Sequence, residues 1–348
     1  MKRWAIRIAF AIAVVLLAFG TLNASWLAPT PKGGPKLIAH RGVAQLYDHR
    51  GLERDTCTAT RIEPPVHDYL ENTVRSMLAA RSLGADMVEI DIAPTADGRI
   101  AVFHDWTVDC RTEGKGNVRD KTLADLKTLD IGYGYTADGG RTFPLRGSKD
   151  KVPALDEVLT ALARTPFMFN FKSKDPREAD QLAAALKAAG RDVEKMGDGF
   201  YGAAGPVQRI REHYPRAWAW TKEEAKACTK AYVYYGWSGV VPESCRNGTL
   251  VVPLNYTPVM WGWPNRLLRR MEKVGARVLV VGPQGKDRAM GLTLPEQLGE
   301  IPSSFNGYVW VEDIWNIGPA LRPDSDFRTR AQQDGAEAAL QRRRKAGR

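Results

Sequence analysis

Strand-like and helix-like segments alternate from residue 36 onward, and this order constrains the fold more than any other feature of the sequence. KLIAH at 36–40 and PFMFNFK at 166–172 are apolar enough for buried strands, and residues 176–190 carry a helical pattern. Alternation over this length predicts a parallel sheet. About eight strand candidates favour an α/β fold, the (β/α)8 TIM-like barrel. The later candidates are YVYYG (232–236), TLVVPLNY (249–256), ARVLVVGP (276–283) and GYVWVED (307–313).

The segment VEIDIAPTADGRIAVFHD, residues 88–105, places charged side chains in what otherwise resembles a buried strand. Alternate side chains of a strand face the same way, so Glu89 and Asp91 point together. If the Asp-Gly hairpin signal at 97–98 forms a two-residue loop, Asp91 lies opposite His104, whereas a longer loop shifts this register. Two carboxylates on one face repel unless a cation separates them, and Ca²⁺ or Mg²⁺ suits oxygen ligands. The alternative is an exposed edge strand with solvated charges.

The strand ends carry the candidate chemistry. In (β/α)8 barrels the active site lies at the C-terminal ends of the strands. Four polar residues lie at or near the end of a strand candidate: His40, Glu89, Asp91 and Asn170. We expect them to converge on one site.

The N-terminus does not belong to the barrel. An uncharged apolar run, residues 8–28, is long enough to span a bilayer. Three basic residues precede it: Lys2, Arg3 and Arg7. This pattern predicts an uncleaved anchor, with a cleaved signal peptide as the alternative. Either way the folded domain is exported, anchored in the inner membrane facing the periplasm or secreted into the periplasm. We divide the chain into leader and linker (1–35), barrel (36–325) and basic tail (326–348).

The net charge of +10 is concentrated at the two ends of the chain. The leader carries three basic residues, and residues 328–348 carry seven basic and two acidic residues. The body between them is close to neutral, which argues against nucleic acid as a partner. The tail either contacts anionic lipid headgroups or is a solvated, frayed end.

Four cysteines are present: Cys57, Cys110, Cys228 and Cys245. An even count in an exported protein is compatible with two disulfides. Chain order suggests Cys57–Cys110 and Cys228–Cys245, although four cysteines allow three pairings. No CxxC spacing occurs, which argues against a structural zinc site.

Several short motifs occur together in a defined order. They are HRG (40–42), ENT (71–73), GAD-VEIDI (84–92), T-DG (95–98), FHD (103–105), RTEGKG (111–116), PALDEVL (153–159) and GYVWVEDIW (307–315). In this order they resemble the glycerophosphodiester phosphodiesterase family over roughly residues 36–320, most specifically in the first third. The resemblance implies a (β/α)8 barrel that hydrolyses glycerophosphodiesters with a divalent metal, often Ca²⁺ or Mg²⁺.

The resemblance also implies roles for individual residues. His40 and His104 correspond to the general acid/base pair, and Arg41 corresponds to a phosphate clamp. Asn72 corresponds to a residue that positions the substrate or orders the site. Glu89 and Asp91 are the implied metal ligands.

One position departs from the family pattern. Asn170 stands where a third acidic ligand is expected, two residues before Lys172. An amide oxygen can ligate Ca²⁺ or Mg²⁺, but the site loses one negative charge and its metal affinity should fall. Lys172 contacts phosphate or pairs with the carboxylates. Glu312-Asp313 offers a replacement carboxylate near the barrel mouth, and the long insertion at 47–68 is expected to lie over that mouth.

These observations predict a metal-dependent phosphodiesterase that releases glycerol 3-phosphate, with a small glycerophosphodiester as substrate. One alternative is a phospholipid-cleaving enzyme held at the membrane. Another is a non-catalytic envelope binding protein with a decayed metal site. We assign loop or surface roles to His49, His67 and His213, and core or loop packing to the tryptophans of the second half: Trp237, Trp261, Trp263, Trp310 and Trp315.

Overall fold

The protein is described from a computed structural model, which covers residues 2–53, 56–285 and 290–346. The strands are β1 Lys36–His40, β2 Met87–Pro94, β3 Ile100–Val102, β4 Phe167–Phe171, β5 Gly199–Gly202, β6 Trp218–Thr221, β7 Thr249–Pro253, β8 Arg277–Val281 and β9 Tyr308–Val311. The helices are α1 Lys2–Asn23, α2 Val74–Ser82, α3 Leu123–Thr128, α4 Leu155–Ala161, α5 Arg177–Ala188, α6 Val193–Met196, α7 Ala204–His213, α8 Lys222–Tyr235, α9 Asn265–Lys273, α10 Ile314–Leu321 and α11 Arg330–Lys345.

Eight parallel strands form a nearly closed barrel, which confirms the predicted fold class. Their order is β6-β5-β4-β2-β1-β9-β8-β7, and β3 pairs antiparallel with β2 outside this path. β6 and β7 lie at the two ends of the path, where the Trp218 indole N–H donates to Thr249 Oγ1 over 2.8 Å. The helix between them, α8, is tied to β7 by two hydrogen bonds between the Thr229 hydroxyl and the Val251 backbone.

The interior and exterior of the barrel are packed separately. Inside, large side chains from alternate positions fill the barrel, among them Met168, Trp218 and Trp310. Outside, apolar strand residues such as Val88 and Phe169 pack with the helices in the largest core cluster. This double burial explains why the strands read as continuous apolar runs rather than alternating ones.

The β2–β3 hairpin has a different register from the two-residue loop considered above. Ile92 pairs with Val102, and Thr95 N–H donates to the Arg99 carbonyl. The loop between Thr95 and Arg99 therefore has three residues. The prediction that Asp91 lies opposite His104 is therefore wrong, because the longer loop shifts the pairing by one residue. β3 ends before His104, which lies in the following loop.

One expected strand was wrong, and two strands were missed. YVYYG at 232–236 is not a strand, since it belongs to the last turn of α8, whose buried side includes Ala225, Cys228 and Tyr232 at helical spacing. β5 and β6 were not predicted. Each has four residues, and β5 contains two glycines, so neither shows a strong strand pattern.

The C-terminal tail is not frayed. α11 buries Ala336, Ala339 and Leu340 on one face. The Arg343 guanidinium on that face donates to Asp313 Oδ2 over 2.5 Å and to Glu63 Oε2 over 2.7 Å. The apolar stripe and the buried arginine hold the helix against the barrel.

Both suggested disulfides are confirmed. Cys57–Cys110 ties the 47–68 insertion to the loop after β3. Cys228–Cys245 ties α8 to the segment before β7. Trp310 and Trp315 are buried, as expected, whereas Trp237 is an exception with 49% of its surface exposed.

Within the described residues, one helix is long and apolar enough to cross a membrane. It covers Arg3–Asn23, and none of its most apolar 18 residues is fully buried. It coincides with the predicted anchor or signal segment.

Candidate active site

The expected side chains converge at the C-terminal ends of the strands. His40 at the end of β1 is in register with Glu89 on β2. Asp91, two residues further along β2, is in register with Asn170 on β4. Neighbouring parallel strands therefore place residues from distant parts of the sequence side by side, which is how this fold builds its sites.

The HRG turn has an uncommon backbone that orients Arg41. Arg41 has φ +62° and Asn72 has φ +58°. Arg41 N–H donates to Glu89, and Asn72 N–H donates to the Arg41 carbonyl. Gly42 has φ +79°, and a Cβ there would lie 2.7 Å from Ser76 Oγ. Such strained positions persist only where the surrounding structure holds them, and they concentrate at functional sites.

Asp91 is the most heavily bonded carboxylate of the site. Lys172 Nζ and Asn170 Nδ2 each lie 2.9 Å from Oδ1. Asn72 Nδ2 donates to Oδ2 over 2.9 Å, and Arg41 Nε lies 3.2 Å from the same oxygen. Burial alone would raise the pKa of Asp91, but Lys172 and Arg41 outweigh it and hold the pKa well below its usual range. Asp91 is therefore ionised and neutralised by protein cations.

Glu89 has a different environment. Its Oε1 accepts a 2.7 Å hydrogen bond from the Tyr201 hydroxyl, which in turn accepts one from Asn170 Nδ2. Its Oε2 accepts from Arg41 N–H and lies 3.9 Å from His40 Nε2. Burial and the charge of Asp91 raise the pKa of Glu89. Tyr201, from a strand that the sequence did not reveal, was missed as a site residue.

Arg41 is held in place by a buried charge network. Its Nη1 donates to Glu71 Oε1 over 2.8 Å. Glu71 Oε2 accepts from Arg111 Nη1, whose Nε donates to Asp105 Oδ2 over 2.8 Å. Burial opposes the ionised form of Glu71, but the two arginines outweigh it and lower its pKa. Glu71 and Arg111 lie in quoted motifs, ENT and RTEGKG, yet sequence reasoning gave neither a role.

His40 is paired with a carboxylate from the opposite end of the chain. Its Nδ1 lies 2.5 Å from Glu312 Oε2, and Glu312 Oε1 accepts from Gly291 N–H. Burial lowers the pKa of His40, but Glu312 and Glu89 outweigh it and the net pKa is raised. Burial likewise opposes ionisation of Glu312, yet His40 lowers its pKa to about 2. Glu312 thus orients the imidazole and favours its protonated form.

His104 has the opposite electrostatic setting. Its Nδ1 lies 2.6 Å from Asp105 Oδ1. Burial, followed by the charges of Arg41 and Lys172, lowers the pKa of His104 to about 4. At neutral pH this imidazole is uncharged, and since Nδ1 donates to Asp105, its Nε2 is free to accept a proton.

The 47–68 insertion reaches the site, as expected. The rings of Tyr47 and His49 are tilted by 44° with centroids 4.2 Å apart, and both residues are influenced by the charge of Glu312. Burial raises the pKa of Tyr47 to about 12 and lowers that of His49. His67 contacts Gln45 and Trp315, and His213 pairs with Asp180, in keeping with structural roles.

The predicted ligand set does not fit a divalent cation in this arrangement. All four oxygens of Glu89 and Asp91 already accept from protein donors, and two of those donors are the cations Lys172 and Arg41. The amide of Asn170 directs its N–H groups at Asp91 and Tyr201. Across residues 2–53, 56–285 and 290–346, no group of three His, Cys, Asp or Glu side chains is arranged to hold a metal ion.

The sequence model of the glycerophosphoryl diester phosphodiesterase family matches residues 40–190. This part of the chain is similar to that family. The matched region contains the HRG turn, both histidines, Glu89, Asp91 and Asn170.

Two relatives illustrate the similarity. A glycerophosphodiester phosphodiesterase of Caldanaerobacter subterraneus is 35% identical over 122 residues, 34% of this chain and 47% of the relative. One of Bacillus subtilis is 35% identical over 124 residues, 34% of this chain and 41% of the relative. The chain therefore spans about half the length of the curated relatives it matches.

Solved structures extend the likeness to the whole barrel. A glycerophosphodiester phosphodiesterase from Agrobacterium tumefaciens superimposes with a TM-score of 0.54 at 21% identity, covering 82% of this chain and 99% of the other. A phosphodiesterase from Oleispira antarctica, solved with the product sn-glycerol-3-phosphate, gives a TM-score of 0.51 at 17% identity, covering 83% and 97%. At these identities the likeness establishes the fold alone.

Proposed function

We propose that this protein hydrolyses glycerophosphodiesters to glycerol 3-phosphate and an alcohol. The observation that carries the proposal is the pair of histidines with opposite pKa shifts, both influenced by the charge of Arg41. A phosphodiester cleavage needs one group that takes a proton and one that gives it, and this site supplies both near neutral pH. The match of residues 40–190 to the family model supports the same reaction class.

The proton transfers follow from the two environments. His104 accepts the proton of the attacking hydroxyl at Nε2, because its lowered pKa keeps it neutral. His40 protonates the leaving alkoxide, because Glu312 favours its charged form. Arg41 Nε donates a 3.2 Å hydrogen bond to His40 Nε2, which can accept it only in the neutral imidazole. Protonation of His40 at Nε2 therefore breaks this hydrogen bond. When the neighbouring glycerol hydroxyl attacks, the product is a cyclic phosphate, which water then opens with the two roles reversed.

The substrate phosphate is bound by cations of the chain. Arg41 offers a planar guanidinium fixed on one side by Glu71. Lys172 supplies a second positive charge. Its side chain is partly exposed, so a substrate can reach it, whereas its partner Asp91 is fully buried. Asn72 keeps Asp91 in place through its side-chain amide. We propose that Arg41 and Lys172 provide the positive charge that the family resemblance assigns to a divalent metal.

The rival arrangement keeps the predicted ligands, with Glu89, Asp91 and Asn170 holding Ca²⁺ or Mg²⁺. The observation in its favour is Glu89, a fully buried carboxylate whose nearest cationic side chain is His40 at 3.9 Å. A bound cation would lower the cost of that charge. The two arrangements differ in a simple property, the dependence of turnover on divalent metal.

The test is an assay of the full chain for release of glycerol 3-phosphate. Glycerophosphocholine, glycerophosphoethanolamine and glycerophosphoglycerol are each incubated with Ca²⁺, Mg²⁺ or EDTA, with His104→Ala as the blank. We expect turnover that persists in EDTA. Turnover found only with metal, and increased in Asn170→Glu, would instead establish the metal-dependent arrangement.

The same assay separates the other candidate functions. Intact phospholipid preferred over its deacylated ester would identify a lipid-cleaving enzyme. Binding of glycerophosphodiesters without turnover under any condition would identify a binding protein. Arg41 is hydrogen-bonded to His40 directly, and a chain of charged side chains joins it to His104, which favours catalysis over binding alone.

We further propose that α1 is an uncleaved anchor that holds the barrel on the periplasmic side of the inner membrane. The two disulfides support an oxidising compartment. In this division, residues 1–35 are anchor and linker, 36–325 the barrel, and 326–348 a tail that packs on it. Mass determination of the mature protein from the membrane fraction tests this, since loss of residues 1–20 would show a cleaved signal peptide.

A further inference from the structure

The C-terminal end of α1 is fixed to the barrel domain by specific contacts. The Phe19 ring lies 5.5 Å from that of Trp261 and 6.4 Å from that of Trp237. Asn23 Nδ2 donates to the Trp237 carbonyl over 2.8 Å. Beyond the helix, Ser25 Oγ accepts from Asn265 N–H over 3.0 Å. α1 is therefore seated on the domain and is not joined to it by a free tether.

Two arginines of the domain bind the last carbonyls of α1. Arg270 Nη2 donates to Leu22 O over 3.0 Å, and Arg266 Nη2 donates to Thr21 O over 3.3 Å. The last four carbonyls of a helix lack partners within the helix, and cations are favourable at that end. Arg270 is itself buried, and its Nη1 contacts Tyr232 and Gly236 of the domain. These bonds make the orientation of α1 a property of the folded domain.

This attachment sets the depth of the neighbouring surface. Phe19 lies inside the apolar span, so a residue that touches it lies level with the last turns of the spanning helix. Trp237 touches Phe19 and is still 49% exposed. Trp26, three residues beyond the helix end, is 82% exposed.

An apolar and aromatic surface surrounds this point. We call it the collar, and it consists of Trp26, Leu27, Tyr234, Tyr235, Trp237 and Val240, all exposed. These residues flank the contacts between α1 and the domain along the chain, and large exposed apolar side chains gathered at one place mark an interaction site. Tryptophan and tyrosine are enriched at the level of lipid headgroups, where the ring is partly apolar and its N–H or O–H reaches water.

We propose that the collar is a membrane-contacting surface that inserts into the interfacial layer of the same bilayer that α1 spans. The barrel domain then rests directly on the bilayer in one orientation. The proposal goes beyond the catalytic function and is independent of it, but it requires α1 to span the membrane. It also corrects the expectation for Trp237, whose exposed ring contacts lipid instead of filling the core.

The test is spin-label accessibility of the full chain in phospholipid nanodiscs. All four native cysteines are in disulfides, so single introduced cysteines can be labelled. Val240→Cys and Tyr235→Cys probe the collar, Val15→Cys probes α1, and Gln181→Cys on α5 is an exposed matched control. Each label is compared for collisions with oxygen, which partitions into lipid, and with a water-soluble nickel complex.

We expect the oxygen-to-nickel ratio at 240 and 235 to exceed that at 181 several-fold and to approach that at 15. A ratio at both collar positions equal to that at 181, with a lipid value at 15, would overturn the proposal while leaving the anchor intact. Aqueous values at 15 as well would overturn both. Spin–spin broadening at 240 would show that a second copy covers the collar, which also contradicts contact with lipid.

Discussion

The two halves of the barrel contribute differently to the same site. Residues 36–190 supply the groups that face the proposed chemistry, including Arg41 and His104. Residues 191–346 supply Tyr201 and Glu312, which bond to Glu89 and His40 and set their orientation and protonation. The half that resembles known sequences therefore carries the proposed reactive groups, whereas the diverged half contacts two of them, and its Glu312 helps to raise the pKa of His40 against the effect of burial. Four predictions test this division, from the largest expected effect to the smallest.

The largest effect is expected in the first half, from His104→Ala. Loss of a general base reduces the rate by about 10²–10⁴-fold. The matched control is His213→Ala. His213 lies on α7, outside the candidate site, and it forms an ion pair with Asp180. Initial rates with the preferred glycerophosphodiester measure both variants. Equal rates for the two variants would remove His104 from the mechanism.

The two disulfides compare the halves in stability. Cys57 and Cys110 are separated by 53 residues, and Cys228 and Cys245 by 17. Loop-closure entropy predicts that removing them costs about 4 and about 3 kcal/mol of unfolding free energy respectively. Denaturant unfolding of the double serine variants, Cys57→Ser/Cys110→Ser and Cys228→Ser/Cys245→Ser, measures this. A larger loss in the second pair would show that closure of the barrel beside β7 depends on its disulfide more than chain entropy requires.

Tyr201→Phe tests the buried polar contact from the second half. The variant leaves Glu89 Oε1 and one N–H of Asn170 without the Tyr201 hydroxyl. Leaving buried polar atoms unpaired costs about 1–3 kcal/mol of stability. Tyr232→Phe is the matched control, because its hydroxyl is also bonded but contacts Trp261 and Arg270, outside the site. We expect both to lose stability and only Tyr201→Phe to alter the rate. An unchanged rate in both would confine Tyr201 to a structural role.

Glu312→Gln tests the adjustment of His40 through pH. In the wild type the pKa of His40 is raised, so the proton donor is present below that pKa and is lost as pH rises through it. Removing the Glu312 charge lowers this pKa, and the alkaline limb of the rate profile moves to lower pH. The acid limb, set by the His104 pKa of about 4, should stay in place.

A fall of about one unit in the pKa of His40 reduces the rate of Glu312→Gln by up to about tenfold at pH values above the wild-type pKa, and by less at lower pH. A profile of kcat/KM against pH measures it. If the acid limb moved instead, His40 would be the general base and His104 the general acid.

Much of the site could be predicted from the sequence because it lies in short continuous motifs. HRG and VEIDI contain their functional residues within a few positions, and strand alternation alone places Glu89 and Asp91 on one face. The Asn170 departure was visible for the same reason. The disulfide pairs could be predicted from chain order, because each bridge joins two cysteines that are consecutive in the sequence.

Other features could not be predicted because they depend on contacts that sequence patterns do not encode. The hairpin register depended on loop length, and one residue moved His104 out of the pair with Asp91. Short strands such as β5 carry too few residues for a periodic signal, so Tyr201 was missed. The tail appeared charged and loose, although Arg343 is buried between Asp313 and Glu63.

Local composition and periodicity were enough to predict the alternation of strands and helices, the apolar leader and the chemical types of the proposed reactive groups. Only the tertiary structure decided which charges those groups experience. His40 and Glu312 are 272 positions apart, yet they lie 2.5 Å from each other because β1 and β9 are neighbouring parallel strands. The protonation of an imidazole depends on such neighbours, and the pairing of strands in the barrel decides which residues they are.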